Sequence, residues 1–242
     1  MAQLVPSSRS IALSLALAVL AVLAYLVARE TPVFAVRTIE VAGVRPADAR
    51  RVEAALRPLQ GKSLLEIRGD DVARLATALP SVAGVSYDRA FPSTLRVRVE
   101  REQPVAVVRR GVEAWLVSRR GRVIKRIAQR THRALPRIWL RQTVAVSLGG
   151  TLPSGGGAEE VTMLDALNGG RIGARVGSVH EMEGQWVYVL RGGLEVRVGA
   201  RSQLALKLAI ARRILARTPV FGYLDVSVPE RPVATQEPQL SG

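Results

Sequence analysis

Two histidines, His132 and His180, stand far apart in a chain of 242 residues that contains no cysteine. Neither has a carboxylate pair clustered beside it in sequence, so the spacing supports neither a metal site nor acid/base catalysis. The missing cysteines remove disulfides, thiolate metal sites and cysteine nucleophiles. Ser118, Ser147, Ser154, Ser178, Ser202 and Ser227 lack any G-x-S-x-G or S-x-x-K context, so none reads as an activated nucleophile. Gln60-Gly61-Lys62-Ser63 imitates the end of a phosphate-binding loop. That motif needs a glycine where Leu56 stands, so the segment reads as a loop between two helices. Glu160, Asp165 and the pair Asp70-Asp71 read as solvated or dipole-matched charges on helices. The expectation is a protein that is not an enzyme and takes no cofactor or metal.

The charge points to anionic partners instead. Lysine and arginine total 35 against 20 acids, a net charge of +15, and only Lys62, Lys125 and Lys207 are lysines. A pI near 11.5 is an electrostatic footprint of nucleic-acid binders. The basic residues are nevertheless scattered doublets such as Arg50-Arg51 and Arg212-Arg213, with no run of five or six. Three tryptophans, four tyrosines and three phenylalanines leave little for base stacking. No nucleic-acid partner is expected; an arginine-rich surface facing lipid headgroups or an acidic partner is.

Between Arg9 and Arg29 no residue is charged, and Ile11 to Val27 is apolar but for one serine. At 1.5 Å per residue this run reaches about 28 Å, enough for a bilayer core. A cleaved signal peptide would need a shorter apolar run and a small-x-small site, which Tyr25-Leu26-Val27-Ala28-Arg29 does not supply, so an uncleaved anchor is favoured. The flanking arginines do not set the orientation, because a long domain translocates largely regardless of its charge.

After the anchor, residues 33–101 predict a β-α-α-β-β unit. Val36, Ile39 and Val41 mark a first strand closed by Gly43. Pro46 to Leu56 is a helix with Pro46 at its start, and Asp70 to Leu79 is a second one ended by Pro80. Val82 to Arg89 is a strand, and in Thr94 to Arg101 the residues Leu95, Val97 and Val99 alternate with Arg96, Arg98 and Glu100, the period of a half-buried strand. Further on, Trp115 to Ile124 reads as strand, turn at Gly121, strand. Glu159 to Leu167 reads as a helix, and Trp186 to Leu190 with Leu194 to Val198 as a hairpin. Ser202 is expected to cap a helix with Leu204, Leu208, Ala211 and Leu215 on one face. Tyr223-Leu224-Asp225-Val226-Ser227-Val228 is the last predicted strand and an exposed edge, and 229–242 a short disordered tail.

The pattern Phe34-x-Val36-x-x-Ile39-x-Val41-x-Gly43, then Leu79-Pro80-x-Val82, then Val85-x-Tyr87-x-Arg89-x-Phe91-Pro92-x-Thr94-Leu95, running on through Val97 and Val99 to Pro104-Val105-Ala106, resembles the POTRA domain and following segment of the FtsQ/DivIB bacterial cell division family. The chain departs from that family's usual residues at Arg101, at Ser118, where an aspartate is usual, and at Trp139-Leu140, where a glycine usually follows Leu-Pro.

The resemblance implies an α+β chain with one N-terminal transmembrane helix. Its parts are a cytoplasmic tail (1–10), a signal anchor (11–28), a POTRA domain (33–101), a mixed β-rich domain (102–228) ending in a helix and an edge strand, and the tail. It implies a single-pass type II protein of the plasma membrane at the division septum. Such a protein is a non-enzymatic scaffold that binds FtsB/DivIC-like and FtsL-like partners outside the membrane, meets other divisome membrane proteins and helps assemble septal peptidoglycan synthesis. Partner binding falls on the backbone of Tyr223 to Val228, by strand addition, and Lys207 is a further partner-binding candidate. The alternatives are a POTRA-bearing transport or assembly component and a membrane-anchored cell-wall enzyme.

Overall fold

A computed structural model describes residues 8–30, 32–167, 173–217 and 222–235, and in the first helix the side chains of residues 12–23. That helix, α1 (Ser8–Glu30), covers the apolar run. Among the described residues no helix is long and apolar enough to cross a membrane. The chain divides into two compact units, Met1–Arg101 and Glu102–Gly242.

In the first unit a 3-10 turn (Pro32–Phe34) precedes β1 (Thr38–Ala42), α2 (Pro46–Leu56), α3 (Gly69–Thr77), β2 (Val82–Ala90) and β3 (Thr94–Arg101). The sheet order is β1-β3-β2, with β1 parallel and β2 antiparallel to β3. The β-α-α-β-β order follows from the sequence. Proline opens α2 as predicted, and α3 stops two residues short of Leu79 as the chain turns toward Pro80. In β3, Leu95, Val97 and Val99 are buried while Arg96, Arg98 and Glu100 are exposed. They pack with Val52, Leu56, Val72 and Ala76 of the helices in one core. Gly43 leaves β1 with φ +89°, and a Cβ there would lie 2.5 Å from the Val99 carbonyl oxygen, so only glycine fits this turn.

The second unit is built on a nine-stranded mixed sheet. Its first part comprises β4 (Pro104–Arg110), β5 (Glu113–Ser118), β6 (Val123–Ile127), β7 (Arg137–Trp139) and helix α4 (Ala158–Asp165). It continues with β8 (Val176–Met182), β9 (Gln185–Leu190), β10 (Glu195–Gly199), helix α5 (Leu204–Arg217), β11 (Tyr223–Asp225) and β12 (Val233–Ala234). The strand order is β12-β11-β10-β9-β8-β7-β4-β5-β6. Helices α4 and α5 contribute Val161, Met163, Leu164, Leu208 and Ala211 to the core over Trp115, Ile138, Tyr188, Val196, Leu224 and Val226. Tyr188 is fully buried and its hydroxyl donates to the Met163 carbonyl at 2.8 Å, so one bond ties β9 to α4. Burial holds that phenol above its ordinary pKa.

Three expectations are corrected by the structure. The predicted edge strand is shorter and lies second from the edge, because β12 pairs antiparallel outside β11. Segment 229–235, expected to be disordered, turns through an Arg231 N–H to Val228 O bond and returns as β12; residues 236–242 lie outside the described residues. The expected cap also moves. The first intrahelical bond of α5 runs from Lys207 N–H to the Gln203 carbonyl, and Gln203 has φ 54°, so Gln203 rather than Ser202 stands at the helix start.

Candidate partner-binding edge

β11 lies parallel to β10, with Tyr223 opposite Glu195, Leu224 opposite Val196 and Asp225 opposite Arg197. Hydrogen bonds from Glu195 N–H to the Gly222 carbonyl at 3.0 Å and from Val226 N–H to the Arg197 carbonyl at 2.8 Å fix this pairing. Leu224 and Val226 are fully buried and carry the strand into the core. Tyr223 and Asp225 point the other way and are half-buried. The Arg197 guanidinium lies 4.3 Å from the centre of the Tyr223 ring and pairs with Glu195 at 2.9 Å, making a charged and aromatic row across β10 and β11. Ser227 N–H closes back on the Asp225 carboxylate at 2.8 Å, which bends the chain out of the strand. Ser227 then passes so close to Gly199 that a Cβ there would stand 2.8 Å from its own. Val228 is exposed.

The outer edge belongs to β12. Leu224 faces Ala234 and Asp225 faces Val233. Thr235 N–H donates to the Tyr223 carbonyl at 3.0 Å, which makes Tyr223 and Thr235 a hydrogen-bonded pair. Such pairs alternate along an antiparallel ladder, so Leu224 and Ala234 are the non-bonded pair and the N–H and C=O of Ala234 face away from β11. The next outward position, Pro232, has no N–H to offer. Val233 is 53% exposed.

Lys207, the other candidate, lies on α5 with 3% of its surface exposed, and its ammonium donates to the Ala200 carbonyl at 2.9 Å, one residue beyond β10. Tyr223 to Val228 thus form one strand and bend at the sheet's end, while Lys207 anchors the exit of the neighbouring strand from inside. The sequence reading missed β12: Val233 and Ala234 sit between Pro232 and a polar tail and are too few to show an alternation.

The residues first weighed for chemistry do not converge. His180 lines a cleft of about 350 Å³ with Trp139, Glu160, Glu181 and Trp186, and His132 is exposed on a loop. Among the described residues no group of three or more histidine and acidic side chains could hold a metal ion. Burial raises the pKa of Glu160 above the ordinary carboxylate range, against a smaller lowering by its hydrogen bond to its own backbone. Ser118 is fully buried, and its hydroxyl has no partner among the described residues.

The two units coincide with two known domain types. Residues 34–101 match the POTRA domain, FtsQ-type, and residues 106–227 match the C-terminal domain of cell division protein FtsQ/DivIB. The cell division protein FtsQ of Mycolicibacterium smegmatis is 33% identical over 89 residues, which cover 37% of this chain. The matched stretch spans about a quarter of that relative, 27% of its length. Both domains occur in the family's order, on the unit whose β3 alternation and Gly43 turn the motif predicts and on the unit that carries the β11 and β12 edge: the chain belongs to the FtsQ/DivIB family of cell division proteins.

Proposed function

We propose that this division protein is a non-catalytic scaffold held in the plasma membrane by α1, with both folded units outside the cytoplasm at the septum. The uncharged run from Ser10 to Ala28 inside a helix of 23 residues supports the anchor. A FtsB/DivIC-like partner adds a strand at the β11 and β12 end of the sheet, a FtsL-like partner accompanies it, and the assembly organises septal peptidoglycan synthesis. The observation that carries this reading is the outward Ala234 backbone on a two-residue strand at the sheet's end. Such an edge leaves one outward N–H and C=O, those of Ala234, for an added strand to bond. Tyr223 and Asp225 stand on β11, one strand in from the added one, Leu224 and Val226 hold β11 in the core, Ser227 and Val228 shape the bend, and Lys207 supports the surface from behind. Co-purification of the tagged full-length chain from its own cells tests the reading. FtsB/DivIC-like and FtsL-like division proteins should follow it, and their absence together with recovery of transport components would overturn it.

A further inference from the structure

The first unit carries large apolar side chains that its core does not explain. Phe91, at the tip of the β2–β3 hairpin, is 57% exposed, and Val33 is exposed to a similar degree. Phe91 meets Phe34 edge to face with ring centres 5.7 Å apart. Neither phenylalanine belongs to the cluster of buried and packed residues between the helices and the sheet. The pair is fixed in place. Arg37 and Thr38 both donate their N–H groups to the Ser93 carbonyl, at 2.9 and 3.2 Å, which clamps the hairpin tip onto the segment that follows Phe34. Val36 N–H donates to the Lys62 carbonyl at 2.9 Å, which brings the 60–63 loop to the same end. Arg37 and Lys62 are exposed there, and no acid occurs from Val33 to Ile39 or from Arg89 to Leu95.

Chain length then says what this surface meets. Phe34 lies four residues past Glu30, the end of α1, so it stands within about 14 Å of the helix end even if the link were fully extended. The 3-10 turn over Pro32–Phe34 rises only about 2.0 Å per residue and shortens that reach. The headgroup region extends about 5–8 Å beyond the hydrocarbon core on each side, within that reach. We propose that Val33, Phe34 and Phe91, rimmed by Arg37 and Lys62, form a membrane-docking surface that inserts into the interface of an anionic bilayer and holds the POTRA unit down on it. Exposed aromatic and aliphatic side chains beside cations are the composition that interfacial insertion rewards, the rings entering the acyl boundary and the cations meeting lipid phosphates. The proposal rests on α1 being the membrane anchor, and it adds a second attachment that fixes the orientation of the unit.

The absence of cysteine makes a clean test available. Single variants Phe91→Cys, Leu20→Cys and Val112→Cys of the full-length chain, each labelled with an environment-sensitive fluorophore, are reconstituted into vesicles of phosphatidylcholine and phosphatidylglycerol carrying acyl-brominated lipid. Val112 is an exposed turn residue of the second unit and serves as the reference. The labels at 20 and 91 should both be quenched, that at 91 by about twofold or more relative to 112. Quenching at 20 with position 91 no different from 112 would overturn the docking surface and leave the anchor standing. No quenching at 20 would remove the anchor and the docking surface together.

Discussion

The Thr235 N–H donates to the Tyr223 carbonyl at 3.0 Å, beside the two-residue pairing that makes Val233 and Ala234 the outer strand of the sheet. The bond also sets the phase of the ladder, leaving the backbone of Ala234 turned outward. The outer edge of the sheet therefore lies one strand beyond the one the sequence predicts, and the substitutions that test partner binding fall on β12.

Ala234→Pro removes the outward N–H and resists pairing with an added strand, at a position with no donor role toward β11. Affinity for the FtsB/DivIC-like partner should fall at least about tenfold, the equivalent of one to two hydrogen bonds, with the melting temperature almost unchanged. Val226→Pro is a poorer probe, because the Val226 N–H bonds the Arg197 carbonyl and its loss would loosen the domain itself. Asp225→Asn should leave affinity within about twofold. Titration of labelled partner into each variant checks this, and full affinity in Ala234→Pro would place the strand elsewhere.

The alternation in β3 predicts an asymmetric response at neighbouring positions. Val97 is 1% exposed and Arg96 faces solvent beside Glu40, 2.9 Å away. Val97→Asp should destabilise the unit by about 3 kcal/mol or more, by burying an unpaired carboxylate, whereas loss of the exposed pair in Arg96→Asp should cost about 1 kcal/mol. Equal losses in urea unfolding would contradict the assigned faces.

What was legible in the sequence had a period or a punctuating residue. Pro46 opens α2, Gly43 closes β1, and Leu95, Val97 and Val99 declare one face of β3. The illegible parts owe their structure to partners distant in sequence. β12 is a strand only because Leu224 and Asp225 lie beside it, and β7 is three residues held between β4 and β8. The start of α5 falls at Gln203 rather than Ser202 because the backbone there turns left-handed, which the serine alone does not signal. The outward phase of Ala234, the feature that defines the candidate site, likewise depends on register and not on residue type.

Two glycines with similar backbone angles separate steric from conformational need. Gly43 and Gly61 have φ of +89° and +82°, but a Cβ at Gly61 would meet nothing within 4 Å. Gly61→Ala should cost about 1 kcal/mol, the penalty of the left-handed conformation alone. Gly43→Ala adds a backbone clash with Val99 and should cost at least about 2 kcal/mol more. Thermal unfolding of both variants reads the difference, and equal costs would mean that the turn yields.

Lys207→Met keeps the aliphatic stem but leaves the Ala200 carbonyl without its donor. Stability should fall by about 1–3 kcal/mol while partner affinity, measured where the protein is fully folded, changes less than about twofold. A large affinity loss with no stability loss would turn Lys207 into a direct contact.

Glu160 gives a pH dependence with a defined sign. Burial raises its pKa in the folded state, so the folded chain holds this proton to higher pH than the unfolded chain does, and stability falls as pH rises through that window. Glu160→Gln should therefore melt higher than the parent at neutral pH, and the gap should close below the ordinary carboxylate range. A gap that persists at acid pH would trace the effect to packing.

Hydrogen exchange at one amide bears most directly on the scaffold account. The Ala234 N–H should exchange freely in the isolated protein and become protected when a FtsB/DivIC-like partner saturates it, while the Val226 N–H, already bonded to Arg197, stays protected throughout. Stoichiometric binding with Ala234 still exchanging at its free rate would contradict strand addition at this edge.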